Sequence, residues 1–178
     1  MTLNTVFIAT SLDGYIADPN GNIDWLNEIP NPDGIDMGFM AIQDRVDALL
    51  MGRTTYETVL SFGVEWPYQK PVFVLSSKLK EVPANLKDKV FLVSGPIPEV
   101  VREINSRGYH KLYVDGGRVI RSLMELDLID ELIVSAIPIV LGGGTPLYPE
   151  LAAPQRFDLV ESKVYLGQIV QSHYRKKN

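Results

Sequence analysis

The segment DALLMGRTTYETV, residues 47 to 59, joins an apolar run that predicts a strand to a polar run that predicts a helix. Arg53, Thr54 and Thr55 lie at the junction, where the first N–H groups of the helix are unpaired and the helix dipole is positive. A cation at this position gains little unless an anion joins it, so residues 52–55, with Gly52 first, are predicted to bind a phosphate group. The alternative is an ordinary helix start with Arg53 in a surface ion pair.

Small and polar residues follow two other predicted strands in the same way. LSSK at residues 75 to 78 and DGGRV at residues 115 to 119 both place hydroxyls or glycines and a cation at a strand end. Consecutive glycines such as Gly116 and Gly117 let a backbone approach a ligand closely, and the following helix points its N–H groups at that ligand. Three such places predict one long polyanionic ligand, for example a dinucleotide. Neither GxGxxG nor GxxxxGK(S/T) is present, which disfavours Rossmann and P-loop sites.

The order of elements predicts a single α/β domain over residues 1–178, with a mainly parallel central sheet and an antiparallel C-terminal hairpin. Apolar runs predict strands at 4–10, 47–51, 71–75, 89–93, 111–115, 130–141, 156–167 and 168–177. Periodicity predicts helices at 33–46 (capped by Asp33, with Ile35, Phe39, Ile42 and Val46 on one face), 54–62, 98–108 and 118–128. Open α/β sheets bind ligands beyond the carboxyl ends of their strands, where the polar segments lie.

Two loop segments are rich in turn-forming residues. SLDGYIADPNGNIDWL, residues 11 to 26, is predicted to be a functional loop, with Asp13 as a turn residue beside Gly14. LGGGTPLY, residues 141 to 148, is explained equally well by a bend between strands and by a ligand that needs close backbone approach.

Composition excludes several classes of function. The 178 residues carry 17 basic and 22 acidic side chains and a net charge of -5, which disfavours nucleic acid and anionic membranes as partners. Cysteine is absent, which excludes disulfides and thiolate chemistry and fits a cytoplasmic protein. No secretory signal is expected, and the apolar segment ELIVSAIPIVL is too short to span a bilayer. His110 and His173 have no evident further ligands nearby, so no metal site is predicted.

The motifs together resemble those of the dihydrofolate reductase-like superfamily. SLDGYIA, ALLMGRTTYE, VLSSK, YVDGGRVIRSLMEL and DELIVSAIPIVLGGGTPLY follow one another as they do in that superfamily. The chain is most similar to the reductase half of the bifunctional riboflavin-biosynthesis deaminase-reductase and to its stand-alone relatives, over nearly its whole length. The resemblance implies a three-layer dihydrofolate reductase-like fold, a homodimer, and NADPH-dependent hydride transfer to a nitrogen heterocycle.

The resemblance also implies which residues bind the cofactor. Residues 53–55 hold cofactor phosphates, residues 76–78 surround the adenosine 2'-phosphate, residues 116–119 take the pyrophosphate, and Ala9 with residues 14–16 borders the nicotinamide. The full implied set is Ala9, Gly14, Tyr15, Ile16, Gly52, Arg53, Thr54, Thr55, Leu75, Ser76, Ser77, Lys78, Ser94, Gly95, Gly116, Gly117, Arg118, Val119 and Ile120.

The chain departs from the riboflavin reductases at informative positions. They usually carry a Lys within the first strand and a Glu before the glycine pair, whereas this chain has TVFIAT and Asp115. Their phosphoribosyl-binding basic residues are not evident either. We therefore expect a smaller or less phosphorylated heterocycle, although the family-level assignment is 5-amino-6-(5-phosphoribosylamino)uracil reductase. Asp24 and Asp115 are the candidate catalytic carboxylates, and Asp24 is equally well interpreted as a turn or cap residue. The alternatives are a dihydrofolate or pterin reductase and a non-catalytic NADPH-binding protein.

Overall fold

The computed structural model describes residues 2 to 177. Its strands are β1 (Leu3–Thr10), β2 (Tyr15–Ala17), β3 (Ala48–Gly52), β4 (Val72–Leu75), β5 (Val90–Val93), β6 (Lys111–Asp115), β7 (Glu131–Ala136), β8 (Thr145–Pro146), β9 (Phe157–Tyr165) and β10 (Ile169–Lys176). Its helices are α1 (Phe39–Arg45), α2 (Arg53–Ser61), α3 (Ile97–Ser106) and α4 (Gly117–Glu125), with short 3-10 helices at Asp24–Asn27 and Ala84–Leu86.

Eight strands form the central sheet in the order β5-β4-β3-β6-β1-β7-β10-β9. The first six are mutually parallel, and β10 and β9 are antiparallel to their neighbours. The predicted α/β class, with its mainly parallel sheet and antiparallel C-terminal hairpin, is confirmed.

Helices cover both faces of the parallel part of the sheet. On one face α3 and α4 pack against strand residues that include Val6, Leu50 and Val114. On the other face α1 and the region of α2 pack against strand residues that include Met51 and Tyr113. The alternation of side chains along each strand divides β6 between the two faces, since Val114 contacts one layer and Tyr113 the other. Three layers result, as the resemblance implies.

A buried ion network fastens α1 to the antiparallel strands. Glu131 at the start of β7 is 1% exposed and accepts hydrogen bonds from Arg45 at 2.7 Å and from Arg175 at 3.0 Å. His173 Nε2 lies 3.4 Å from the same carboxylate. A buried carboxylate needs such partners, because an isolated charge in the interior is costly.

The first predicted helix is shorter than expected. Asp33 does not cap it; α1 begins at Phe39, and the carboxylate of Asp36 accepts the N–H groups of Gly38 and Met40, both at 3.0 Å. Gly38 adopts a left-handed φ of 91°, which breaks any helix that starts earlier. Ile35 consequently lies outside the helix and is 41% exposed.

The strand predicted over residues 130–141 is also shorter. β7 ends at Ala136, because Pro138 cannot continue the ladder. Two short strands that the sequence did not predict, β2 and β8, form a second sheet in which Tyr15 lies opposite Pro146 and Ala17 opposite Thr145. Among residues 2 to 177, no helix is long and apolar enough to cross a membrane.

Candidate functional site

The carboxyl ends of four parallel strands bring most of the predicted site together. In the strand register Met51 lies opposite Asp115, Gly52 opposite Leu75, and Leu75 opposite Val93. The segments that follow these strands therefore line one edge of the sheet: residues 52–55 after β3, 76–78 after β4, 94–95 after β5 and 116–119 after β6.

The starts of α2 and α4 are next to each other on this edge. No side chain from the described part of the chain caps either helix, so the first N–H groups of both have no such partner. A Cβ built on Gly116 would overlap the Oγ1 of Thr55, and one built on Gly52 would lie 3.4 Å from Val119 Cγ2. The backbone of each helix start thus packs directly against the other.

Arg53 occupies the position predicted for it, but its guanidinium is already paired. Its Nη1 lies 3.0 Å from Glu57 Oε1 in an i,i+4 ion pair whose side chains are 40% and 46% exposed. This is the surface pair of the alternative interpretation, and phosphate binding by Arg53 remains a prediction. Thr54 is exposed beside it, and its carbonyl accepts the hydroxyl of Thr58 at 2.9 Å.

The turn after β4 places an exposed lysine, Lys78, at the same edge of the sheet. Ser76 Oγ accepts the N–H groups of Lys78 at 3.1 Å and of Leu79 at 3.0 Å, which fixes the turn. Ser77 and Lys78 are exposed, and Lys78 forms no ion pair with any residue between 2 and 177.

Two further predicted segments bound the edge. Ser94 and Gly95 after β5 are exposed, and a Cβ on Gly95 would meet no atom within 4 Å. At the start of α4, Arg118 is exposed, whereas the side chains of Val119 and Ile120 are buried in the core. The N–H of Ile120 donates to the Gly116 carbonyl, so Ile120 has no free backbone donor for a ligand.

The loop after β1 is clamped to the glycine-rich loop after β7; we call residues 11–17 and 141–147 together the flap. Asp13 accepts the N–H groups of Leu141 at 3.1 Å and Gly142 at 2.7 Å, and the hydroxyl of Ser11 at 2.6 Å. These bonds, the one from Ser11 foremost, lower the pKa of the Asp13 carboxyl. Asp13 therefore joins the two halves of the flap, a role beyond that of the predicted turn residue.

The flap rests on the start of α4. A Cβ built on Gly117 would lie 2.7 Å from Ile16 Cδ1, 2.9 Å from Arg121 Nη1 and 3.1 Å from Thr145 Cγ2. Arg121 also donates to the Pro146 carbonyl at 2.5 Å. A side chain at 117 would therefore have to displace the ends of these three side chains, whether or not a ligand approaches there.

The remaining flap glycines also have structural roles. A Cβ on Gly144 would overlap the Ala17 carbonyl, so this glycine permits the close approach of β8 to β2. Gly14 has a φ of 83° in the tight turn before Tyr15. Ala9 lies beside this turn near the end of β1, opposite Ser135 of β7.

Asp115 ends β6 with a half-buried side chain. Its Oδ1 accepts the N–H of Gly116 at 2.7 Å, and the hydroxyl of Tyr113 lies 3.4 Å from its Oδ2. Burial raises the pKa of the carboxyl to about 6, although both hydrogen bonds act against that rise. Burial likewise raises the pKa of Tyr113 and of Tyr68, with the charge of Asp115 as a second cause for each.

Sequence reasoning missed both tyrosines. Tyr113 is two residues before Asp115, and side chains two apart on a strand share a face, so that spacing was a usable signal. Tyr68 comes from the segment before β4, and only the folded chain brings it to this layer.

The structure separates the second candidate carboxylate from the first. Asp24 is exposed in the 3-10 helix Asp24–Asn27, and it forms no hydrogen bond or ion pair with the residues that the structure describes. Its neighbour Trp25 is buried against Ile137 and Ile169, which lie beyond β7 and at β10. Asp115 is at the end of β6, and β1 separates β6 from β7 in the sheet. Within residues 2 to 177, no three metal-ligating side chains form a group that could hold an ion.

Comparison with known proteins decides the family. The family model of the RibD C-terminal domain matches residues 4–171. This chain belongs to the RibD C-terminal domain family. The match confirms the predicted resemblance to the reductase half of the bifunctional enzyme and its stand-alone relatives.

Relatives of this RibD C-terminal domain protein share its whole length. A protein from Shewanella sp. PV-4, provisionally assigned to riboflavin biosynthesis, is 49% identical, with a TM-score of 0.94 and 100% of both chains covered. The uncharacterized protein YwjB of Bacillus subtilis is 35% identical over 172 residues, 95% of each chain. A pyrimidine reductase-like protein from Corynebacterium diphtheriae, 16% identical with a TM-score of 0.73 over 99% of this chain and 92% of its own, shares the fold.

Proposed function

We propose that this RibD C-terminal domain protein is an NADPH-dependent reductase that transfers a hydride to a nitrogen heterocycle. The observation that carries the proposal is the pair of uncapped helix starts, α2 and α4, side by side on neighbouring strands. Helix starts bind phosphate through free N–H groups and the positive end of the dipole. Two adjacent starts fit the linked phosphates of one dinucleotide.

The residues along the edge fit NADPH in a definite order. Backbone N–H groups at residues 53–55 and 117–119 would bind the cofactor phosphates, the pyrophosphate included. Lys78, with Ser76 and Ser77 of the same turn, would bind the 2'-phosphate. Ala9 and residues 14–16 would border the nicotinamide at the flap. When bound, NADPH supplies the hydride, and the chain supplies orientation and electrostatics.

Asp115 is the carboxyl group best suited to handle a proton. With a pKa of about 6 it keeps a protonated fraction near neutral pH and can donate to a ring nitrogen or accept a ring N–H. Asp24 has no such environment and is the weaker candidate. General acids work best when their pKa lies near the operating pH.

The substrate proposal has a family-level form and a narrower form. A Thermotoga maritima neighbour named as a deaminase and 5-amino-6-(5-phosphoribosylamino)uracil reductase supports reduction of that compound at family level. That chain is 16% identical with a TM-score of 0.72, and this chain covers 57% of it. The narrower proposal is a smaller, uncharged or less phosphorylated heterocycle, because Arg121 donates to the Pro146 carbonyl and Arg118 lies at the start of α4, where the cofactor pyrophosphate would bind.

The cofactor is tested by calorimetric titration with NADPH and NADH. We expect NADPH to bind roughly tenfold or more tightly, because a charge-assisted contact contributes about 1.5 to 3 kcal/mol. Lys78→Ala should remove most of that preference, while Lys80→Ala, an exposed lysine two residues on, should retain it. Equal affinity for both cofactors, or no binding, contradicts the proposal.

The substrate is tested by steady-state oxidation of NADPH in the presence of the riboflavin-pathway intermediate, dihydrofolate and a set of pterins. Turnover of the phosphoribosylated compound at about 10⁴ M⁻¹s⁻¹ or above contradicts the narrower proposal. Binding of NADPH without turnover of any heterocycle would favour a non-catalytic binding protein instead.

The proposal includes a cytoplasmic homodimer. Leu159, Val164 and Val170 share one face of β9 and β10, where they are 58%, 64% and 42% exposed, and no helix within residues 2 to 177 covers them. An exposed apolar patch of this kind fits an interface with a second copy. Light scattering should give twice the 19.9 kDa mass of one chain, and Val164→Lys should lower the measured mass to that of a single chain. A single-chain mass for the unmodified protein at micromolar concentration contradicts the dimer.

A further inference from the structure

Tyr113 and Asp115 form a polar pair on the face of the sheet that α1 and α2 cover. The two residues are two apart on β6 and share a face of the strand, and the Tyr113 hydroxyl lies 3.4 Å from Asp115 Oδ2. The other carboxyl oxygen accepts the Gly116 N–H at 2.7 Å. Both oxygens are therefore oriented by groups of the same strand end.

Packing fixes the Tyr113 ring independently of Asp115. The residue is 4% exposed, and its ring meets that of Phe7 edge-on with centroids 6.0 Å apart. Its hydroxyl has no other hydrogen-bond partner in the part of the chain that the structure describes. Tyr68, from the segment before β4, is the other ionisable group facing the pair, and no cation from the described residues is hydrogen-bonded to Asp115.

We infer that Tyr113 is a positioning residue that holds the Asp115 carboxyl in one rotamer and stabilises its anion after it has given its proton to the substrate. The inference rests on the proposed function. In the step it serves, the Asp115 O–H bond would break and an N–H bond would form at the substrate C=N group, whose carbon would gain a hydride to make a C–H bond. A bound nicotinamide dinucleotide would supply that hydride and be oxidised as the heterocycle is reduced, and solvent would return a proton to Asp115.

A phenol suits this position better than a cation. Tyr113 keeps its proton throughout the accessible pH range, because burial raises its pKa well above the ordinary value. It can therefore donate to the carboxylate without adding a charge that would strip the proton from Asp115 too early.

The test compares Tyr113→Phe, which removes one oxygen and keeps the ring, with Tyr56→Phe. Tyr56 is a matched control in the same apolar layer, 2% exposed, whose hydroxyl has no hydrogen-bond partner among residues 2 to 177. The Asp115 carboxyl carbon is followed by ¹³C NMR against pH in the protein without cofactor. Loss of a hydrogen bond to the anion should raise the Asp115 pKa by about half to one pH unit in Tyr113→Phe and leave it unchanged in Tyr56→Phe.

Kinetics then separate positioning from structure. The limb on which kcat declines with rising pH should move upward by the same amount in Tyr113→Phe, with KM changed less than twofold. An unmoved NMR titration overturns the inference, and so does an equal shift in both variants. If no heterocycle is turned over, the proposed function fails, while the NMR titration still decides whether Tyr113 controls Asp115.

Discussion

The starts of α2 and α4 share a plan and differ in what holds them. Both follow a parallel strand directly, both are preceded by a glycine, Gly52 or Gly116, and both lack a side-chain cap from the described residues. The α4 start is covered by the flap. Thr55 packs against Gly116 and Ile16 packs against Gly117, where a Cβ would contact them. The α2 start is open, with Arg53 and Glu57 paired in solvent.

The two helix starts also differ in the residue before the glycine. Met51 before Gly52 and Asp115 before Gly116 are direct neighbours in the strand register, one apolar and one ionisable. A glycine after a strand can therefore be favoured for two different reasons, the packing of the protein itself or the approach of a ligand. At α4 the left-handed φ of Gly116 and its contact with Thr55 favour a glycine whether or not a ligand binds, whereas at α2 a Cβ on Gly52 would lie 3.4 Å from Val119 Cγ2 and the position is free to serve a ligand.

The largest expected effect is loss of stability in Gly116→Ala. Gly116 has a φ of 88°, and an added Cβ would overlap the Thr55 hydroxyl. We expect the free energy of unfolding to fall by about 2 to 4 kcal/mol in denaturant titrations. Gly95→Ala is the control, since Gly95 has a φ of 126° and open space around it.

Combining Gly116→Ala with Thr55→Ala should recover about 1 kcal/mol, because the overlapping oxygen is gone. Equal losses in Gly116→Ala and Gly95→Ala would show that the contact between the two helix starts costs nothing, so that packing would not distinguish the start of α4 from that of α2.

A smaller effect, of opposite sign, is expected for Asp115→Asn. The folded-state pKa of about 6 lies above the ordinary value of about 3.9. Between these values the folded protein holds a proton that the unfolded chain has released, so the free energy of unfolding falls as pH rises from about 4 to about 6.

Asp115→Asn removes that dependence, and we expect the variant to be about 2 kcal/mol more stable at pH 7.5 and little changed at pH 4. Urea titrations at the two pH values measure it, and reductase activity should be lost in parallel. Met51→Leu, a change in the neighbouring strand, should show no such pH dependence. If the difference in the free energy of unfolding between Asp115→Asn and the unmodified protein is the same at both pH values, the Asp115 carboxyl is solvated and its pKa is not raised.

The smallest effect is expected for Arg53→Ala. An exposed i,i+4 ion pair contributes about 0.3 to 0.5 kcal/mol, so the fold should tolerate the change. NADPH affinity should fall about three- to tenfold, less than for a cation without a competing partner. Glu57→Gln should raise the affinity by freeing Arg53. If calorimetry shows no change in either variant, Arg53 serves only its surface ion pair.

Local pattern predicted the strand ends well and long-range packing poorly. Residues 52–55, 76–78 and 116–119 were predicted to meet, because parallel strands place their carboxyl ends on one edge whatever the side chains do. The flap was not predicted, since Tyr15 pairs with Pro146 and no local pattern links such distant residues. The predicted start of α1 at Asp33 was wrong, because the left-handed backbone at Gly38 delays the helix until Phe39 and no local residue pattern announces that conformation.

The position of β1 in the sheet has a consequence for how the chain acquires its shape. Leu3 pairs with Lys111, and Thr5 pairs with both Tyr113 and Glu131, so β1 lies inside the sheet between two strands that come much later in the sequence. Pairings of such long sequence separation slow folding, because a large loop must close before any contact rewards it. During synthesis β1 cannot form its native pairings until β6 and β7 have been made. A nascent chain halted before residue 131 therefore lacks one of the two neighbours of β1 and presents an open apolar edge, the kind of surface that chaperones shield.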